Sequence, residues 1–365
     1  MLIKQNKPLL SICIPTYNGG LYIGNVLAAL LPQAAEVGNS VEVLVVDDCS
    51  SDDTEQVVAG AQHYGPMRFI RNHQNVGMSK NIVNCLTIHS FGEFVWIWSQ
   101  HCLLHVGALT RVVDLLSRHR KIDAFYVNFR CAFFPDDWPE NAVGGYSGTF
   151  QSLANEDVQI RPVSCWEDLL DVKTSVCTQT YSHIVKKELC VNYWAGQSVG
   201  ADFGNAPDTY SQTCTVAESM FGKPSFYIGD PVFTIYNGAQ TWGSLKHRTR
   251  VYLQGYPDLI KRYERMGWSP EKVIEAQRWG AAKAGEVILL ILRDRHTDEF
   301  KRIALFILKY WRYKGVLRAV WRAFVDSKSS RLAKGIGKTT CGLERLGQYL
   351  FFNCRPARWL RARRG

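Results

Sequence analysis

Val41-Glu-Val-Leu-Val-Val-Asp-Asp-Cys-Ser50 reads as a strand that ends in charge. Five of its first six residues are apolar and four of those are valine, the composition of a strand buried on both faces in the middle of a parallel sheet. Two adjacent carboxylates follow, Asp47 and Asp48, and then Cys49, Ser50, Ser51, Asp52, Asp53 and Thr54. Polar acceptors at the carboxyl end of such a strand lie where open α/β sheets bind ligands. Ser51 to Asp53 are also good caps for a helix over 54–61. Capping does not account for Asp47 and Asp48, because a buried strand end avoids carboxylates unless something donates to them.

Outward from this stretch the chain alternates. A first strand over 9–14 stops at Pro15 and runs into Thr16-Tyr-Asn-Gly-Gly20. Residues 22–31 carry Leu27, Leu30 and Leu31 at helical spacing and are closed by Pro32. A short third strand is expected over 67–70, a loop over Arg71-Asn-His-Gln-Asn-Val-Gly77, and a third helix over 78–90. A fourth strand over 94–98 leads into Ser99-Gln-His-Cys102. This rhythm predicts a doubly wound α/β sheet. No G-x-G-x-x-G follows the first strand, and Gly335-Ile-Gly-Lys-Thr339 is too short for a phosphate loop, so the usual dinucleotide and P-loop folds are not indicated. A helix over 109–120 and a strand over 124–129 precede a Pro-, Gly-, Asp- and aromatic-rich stretch at 131–163, a plausible substrate lip. Helices over 166–172 and 209–220 and strands over 181–185 and 225–236 complete the pattern.

A chain of 365 residues with 46% hydrophobic and 21% charged residues suits one large α/β domain with an appendage, or two domains. The 11 cysteines show no C-x-x-C pair and no zinc spacing, which reads as the reduced thiols of a cytosolic protein. Residues 1–8 lack the apolar core of a secretory signal, and no apolar run approaches the ~20 residues that span a bilayer. The net charge of +10 is uneven: residues 301–365 hold 17 Lys and Arg against Asp326 and Glu344, while the remainder is mildly acidic. Such asymmetry concerns partners rather than fold.

Four motifs occur in order: Ser-Ile-Cys-Ile-Pro-Thr-Tyr-Asn at 11–18, Val-Val-Asp-Asp-Cys-Ser-Ser-Asp-Asp-Thr at 45–54, Asn-Val-Gly-Met-Ser-Lys-Asn at 75–81 and Gly-Glu-Phe-Val-Trp-Ile-Trp-Ser at 92–99. This succession resembles the family 2 glycosyltransferases over roughly residues 9–240. The resemblance implies a GT-A type nucleotide-sugar-binding domain, a doubly wound mixed sheet, over 1–245. Its nucleotide-sugar half would lie at 9–105 and its acceptor half at 106–245, with a helical, basic C-terminal region at 246–365. Residues 229–242 look like the late segment of bacterial surface-polysaccharide enzymes, including O-antigen sugar transferases of the abequosyltransferase type. At matching positions the resemblance implies that Thr16, Tyr17 and Asn18 line the nucleoside. Asp48 would accept from the base, with Asp47 supporting that loop. Arg71, Asn75 and Gly77 would lie over the nucleotide and its sugar, although Arg71 also reads as a solvated loop arginine.

One position departs from the family. Relatives carry an acidic Asp-x-Asp or Asp-Asp-Asp motif after the fourth strand, which holds a divalent ion against the diphosphate. Here the position reads Ser99-Gln100-His101-Cys102, with no carboxylate. Gln100 can hydrogen-bond a phosphate or sugar hydroxyl but is a poor ligand for Mg²⁺ or Mn²⁺. Three readings stand. His101 with a distant histidine, His247 or His183, holds a softer ion. Alternatively, Lys246, His247, Arg248 and Arg250 offset the diphosphate without a metal. In the third, the domain binds and does not catalyse. No cofactor is implied with certainty: a divalent ion, Mn²⁺ or Mg²⁺, is the one candidate, and its acidic ligands are missing.

An inverting transfer needs a base for the acceptor hydroxyl. The family match for it is Asp208 in Asn-Ala-Pro-Asp-Thr-Tyr, with Asp202 second, and Asp208 is also a good helix cap. In the tail, Phe300, Ile303, Ala304, Ile307, Tyr310, Trp311, Leu317, Trp321 and Phe324 lie near one helical stripe flanked by Lys and Arg. A second aromatic-basic cluster follows at 349–364. This chemistry suits an anionic membrane surface, which the excess of +15 in residues 301–365 favours over a helix packed on the domain with a solvated basic face; no nucleic-acid fold accompanies it. The expectation is an inverting glycosyltransferase, peripheral on the inner face of the cell membrane. It would move a hexosyl or deoxyhexosyl group from a nucleotide-sugar donor to a saccharide acceptor, lipid-linked, in polysaccharide biosynthesis. The alternative is a non-catalytic nucleotide- or saccharide-binding protein.

Overall fold

The computed structural model describes residues 7–146, 152–172, 178–200, 203–239, 244–294 and 299–333. They fall into two compact units. One comprises Met1–Leu170, Gln179–Asp202 and Tyr210–Gln240, and the other Asp171–Thr178, Phe203–Thr209 and Thr241–Gly365. The units are interleaved in sequence, whereas the sequence reading divides the chain once, after residue 245.

The first unit opens with β1 (Leu10–Thr16), α1 (Gly20–Val37), β2 (Val41–Asp47), α2 (Thr54–Gly60), β3 (Arg68–Arg71), α3 (Met78–Asn84) and β4 (Phe94–Ile97). β1 to β4 run parallel in the order β3-β2-β1-β4, with Leu10 opposite both Val41 and Phe94. Side chains alternate across these strands. Leu10, Ile12, Ile14, Val43 and Val45 face one core, with Ile23, Leu27, Leu30 and Leu31 of α1. The alternates take the other face, where Cys13 Sγ approaches the Cys85 carbonyl in the π-turn after α3 and Asn81 Nδ2 donates to the Val46 carbonyl at 2.9 Å. Both faces of β2 are thus covered, which its unbroken apolar run requires.

Beyond β4 come β5 (Cys102–Leu104), α4 (Ala108–Arg118), β6 (Ala124–Phe133), β7 (Ser152–Leu153), β8 (Ile160–Val163), β9 (His183–Lys186) and α5 (Lys187–Trp194). After the four-residue α6 (Ala206–Thr209), which belongs to the second unit, α7 (Ser211–Met220) and β10 (Ser225–Asn237) complete the first. β9 inserts antiparallel between β4 and β6, and β10 runs parallel to β6, so the sheet is mixed. A register shift between Ile228 and Phe233, at Gly229-Asp-Pro231, lets β10 pair β8 in its first half and β5 in its second. The strands expected at 41–46, 94–98, 124–129 and 225–236 are present, as is the loop-rich stretch after β6.

One local expectation is corrected. Pro32 does not close α1, which continues to Val37. A proline inside a helix leaves the carbonyl four residues back without its donor, and here Gly144 N–H donates to Ala28 O at 2.9 Å in its place. The helix expected at 209–220 is present as α7, which begins at Ser211 because Tyr210 before it leaves helical geometry (φ −131°, ψ 51°).

The second unit is helical: α8 (Leu245–Arg250), α9 (Tyr256–Met266), α10 (Pro270–Asp294), α11 (Phe300–Tyr310) and α12 (Val316–Ala333). α10 is its spine, packed against α9 and α12. The close approach of α9 requires glycine, since a Cβ on Gly280 would sit 2.4 Å from the Tyr256 ring. The stripe expected over 300–325 is not one helix. It breaks at 311–315, and Ile303 and Tyr310 turn inward while Trp311, Leu317, Trp321 and Phe324 stay exposed. The aromatic-basic cluster at 349–364 lies outside the described residues. Among those described, no helix is long and apolar enough to cross a membrane.

Candidate donor-binding site

Because β1 to β4 are parallel, Thr16, Asp47, Arg71 and the turn after β4 meet at one edge of the sheet. The loops after β1 and β2 are tied together there. Asp48 N–H donates to Thr16 O (2.8 Å), Asn18 N–H to Ser50 Oγ (2.8 Å), Gly19 N–H to Thr54 Oγ1 (2.8 Å) and Ser51 N–H to Asn18 Oδ1 (2.9 Å). Asn18 holds φ at +48° to make this turn. Tyr17 stands beside it with its side chain exposed.

The paired carboxylates are buried, and each is satisfied from within the chain. Asp47 accepts from Ser50 N–H (3.1 Å), from Ser50 Oγ and from the Arg71 guanidinium (2.9 Å). Asp48 Oδ1 accepts from Asn72 Nδ2 (2.9 Å) and Val76 N–H (2.8 Å), and Oδ2 from Gly77 N–H (2.9 Å). Three donors apiece are what make two adjacent buried carboxylates affordable. The donors that the buried pair requires come from the chain's own loops.

Arg71 is exposed and also acts as a clamp. Besides Asp47 it reaches Ser50 O (2.7 Å) and Glu55 (3.2 Å). Asn75 Oδ1 accepts from Gly77 N–H (3.0 Å), and Gly77 takes φ +89°, a conformation that favours glycine. The loop 71–77 is thereby moulded over Asp48. Sequence reasoning missed Asn72, Ser50 and Asn81. Their signal is weak: Ser50 is a single hydroxyl three residues after Asp47, Asn72 reaches Asp48 only through the fold, and Asn81 stands one step behind, donating to Val46 O and accepting from Asn72.

At the turn after β4, Gln100 Oε1 accepts from Thr16 Oγ1 (2.6 Å) and from Tyr17 N–H (3.2 Å). A Cβ on Gly19 would fall 2.4 Å from Thr16 Oγ1 and 2.6 Å from Gln100 Oε1, so glycine lets the three segments close on one another. His101 is buried beside the Tyr181 ring, and burial drives its imidazole down to about 4, so it is neutral at physiological pH. Its Nδ1 has no hydrogen-bond partner among the described residues. Burial also raises Tyr181, whose hydroxyl bonds Ser99, to about 12.

This donor set does not fit a magnesium or manganese ion. The one hard oxygen offered at the position, Gln100 Oε1, is neutral and already accepts two hydrogen bonds. Among the described residues no three His, Cys, Asp or Glu side chains cluster as ligands.

His183 is buried in β9, facing the rings of Tyr126 and Trp166. His247 belongs to the second unit, where its ring meets Phe203 and its Nδ1 lies 3.1 Å from Ser244 Oγ, the hydroxyl that caps α8. Asp208 is also in the second unit, nearly buried in α6, its N–H donating to Asn205 Oδ1 at 2.8 Å. The α6 turn is fixed further by Ala206 N–H donating to Asp258 (3.0 Å). Asp202 lies outside the described residues.

The model of the Glycosyl transferase family 2 matches residues 11–166. An uncharacterized protein of Mycobacterium tuberculosis is 37% identical over 107 residues, 29% of this chain and 32% of that one. The abequosyltransferase RfbV of Salmonella typhimurium is 29% identical over 92 residues, 25% of this chain and 27% of that enzyme. The chain thus spans about a third of the length of the curated relatives it matches. Among solved structures, residues 1–349 of Staphylococcus aureus TarS with UDP align over 89% of this chain and 91% of that one, at 15% identity and a TM-score of 0.49, a likeness too distant to bear on residues or chemistry. The family match and the mixed sheet order give the GT-A type fold expected from the four motifs.

Proposed function

The chain carries a glycosyl transferase family 2 domain in residues 11–166, and from that premise we propose that it transfers a sugar from a nucleotide-sugar donor to a saccharide hydroxyl, with inversion. The observation that carries this reading is the pair of buried strand-end carboxylates, each held by three donors from the chain, which fixes the turn at 47–50 and the loop at 71–77 at one edge of the sheet. Tyr17 offers an exposed ring to the nucleoside. Among the described residues Asp48 Oδ2 accepts from Gly77 alone, which leaves it a lone pair for a base N–H. Thr16, Asn18, Asn75 and Gly77 complete the donor side, with Asp47 and Arg71 holding it in shape.

In the proposed reaction the acceptor oxygen attacks the anomeric carbon as the bond from that carbon to the phosphate oxygen breaks. The hydroxyl proton passes to Asp208, and the nucleoside diphosphate leaves with the bonding pair. Transfer is metal-independent in this reading. Charge on the leaving group is offset by hydrogen-bond donors and by the cations Lys246, His247, Arg248 and Arg250. The donor-binding half is assigned to 9–105 and the acceptor half to 106–245. The basic helical region from 246 is assigned to the inner face of the cell membrane, where a lipid-linked acceptor of surface-polysaccharide or O-antigen synthesis is built.

The replacement of the acidic motif by Gln100 favours one other reading, a protein that binds nucleotide or saccharide without catalysis. An assay of nucleotide sugars with and without EDTA separates them. Transfer unaffected by EDTA supports the proposal, and failure with every donor supports the binding protein.

A further inference from the structure

We propose that α11 and α12 seat the protein on an anionic lipid bilayer through an apolar row that they leave uncovered. This deepens, and rests on, the membrane placement proposed above. Among the described residues seventeen large apolar side chains are exposed; eight of them fall within 300–325, and the other nine are scattered between 17 and 191. Isolated exposed apolar residues are ordinary, but a concentration of this kind is not.

The spacing orders them. Leu317, Trp321 and Phe324 follow one another at i, i+4 and i+7 on α12, and Leu308 and Trp311 stand three apart where α11 ends. The most exposed are Leu308 (74%) and Trp321 (71%). Both helices already have a packed side. Ile303, Phe306 and Tyr310 of α11 are buried, and so are Val316, Val320 and Ala323 of α12, the helix that packs on α10. A helix that only covers a core needs one apolar side, so the outer row requires a second apolar neighbour.

Charge selects that neighbour. Lys301, Lys309, Arg312, Lys314, Arg318 and Arg322 are exposed in the same stretch, and none forms an ion pair with a described carboxylate. The Arg312 guanidinium lies 4.9 Å from the Trp311 ring centroid, a cation and an interfacial ring side by side. Tryptophan and leucine beside unpaired cations match an acyl boundary topped by anionic headgroups. With no helix among the described residues long and apolar enough to cross, these two would lie in the interface plane.

The test is flotation of the full chain with phosphatidylcholine vesicles, with and without phosphatidylglycerol. Binding should be at least about tenfold stronger with the anionic lipid. Combined Leu317→Ser, Trp321→Ser and Phe324→Ser should abolish it without lowering the melting temperature, since all three side chains are exposed. Arg318→Glu with Arg322→Glu should remove the preference for anionic lipid. In the free protein Trp321 should be open to acrylamide quenching, read against Trp321→Phe, and become shielded on vesicles. Binding unchanged by the triple substitution overturns the proposal. So does a dimer in solution that the triple substitution dissolves, or a Trp321 already shielded without lipid, as cover by residues 334–365 would produce. Stabilisation by a nucleoside diphosphate is read on the same proteins. A chain that floats without binding nucleotide loses the transferase reading and keeps this surface, and one that binds nucleotide without floating does the reverse.

Discussion

Asp48 is buried with one donor on Oδ2 and two on Oδ1, and its loss would strand Asn72, Val76 and Gly77 together. Asp48→Ala should cost roughly 2–4 kcal/mol in urea unfolding and abolish nucleotide binding. If the variant unfolds like the parent, Asp48 does not organise the 71–77 loop. Gln100→Asp places a charge where two donors already point. It should lower transfer at least about tenfold in EDTA, with partial recovery in Mn²⁺, whereas full activity in EDTA would mean the Gln100 position does not govern metal use. Burial gives the third expectation. His101 and His183 titrate near 4 when folded against 6.5 when free, so below 6.5 the unfolded chain binds protons that the folded one refuses. Stability should therefore be full above about pH 6.5 and fall as pH drops toward 4, by about 3 kcal/mol for each histidine. A melting temperature flat from pH 7 to 4 would contradict that burial. Asp47 and Asp48 were legible as an anomaly because charge directly after a valine run needs donors. Their partners were not, because Asn72, Val76 and Gly77 lie 24 to 29 residues away in sequence and only β2–β3 pairing brings them near.

Elements with a clear apolar run were readable for the same reason: β4 is apolar throughout, and β2 from Val43 to Val46, because both faces are covered there. Elements set by a distant partner were not. α1 survives Pro32 only because Gly144, more than a hundred residues on, donates to Ala28 O. β5 is three residues long, too short to carry a period. The 300–325 stripe is apolar on more than one side, so its sequence could not say which side is packed. The packing of α10 offers a direct test. Gly280→Ala would drive a methyl against the Tyr256 ring, whose hydroxyl donates to Ala276 O (3.2 Å), so the ring cannot swing away without losing that bond. The substitution should destabilise the helical unit by about 1–3 kcal/mol even though alanine is the better helix former. Unchanged or raised stability in calorimetry would mean that α9 and α10 do not meet as closely as this.

Across the molecule, donor binding is assigned to the first unit and proton removal to Asp208 of the second, so the two functions should fail separately. A nucleoside diphosphate at about a hundred times its Kd stabilises the fold that binds it by about 2.7 kcal/mol. Asp208→Asn keeps the side chain's size and its N–H bond to Asn205, so it should preserve both the fold and that stabilisation. Removing a general base costs about 10² to 10⁴ in kcat, and the donor KM should change little. Asp48→Ala should do the reverse, erasing the nucleotide-induced shift before turnover is even measured. Near-normal kcat in Asp208→Asn would remove Asp208 from the mechanism and leave the donor site standing. Loss of the nucleotide shift in the same variant would instead place Asp208 in donor binding, and the separation of roles between the two units would fail.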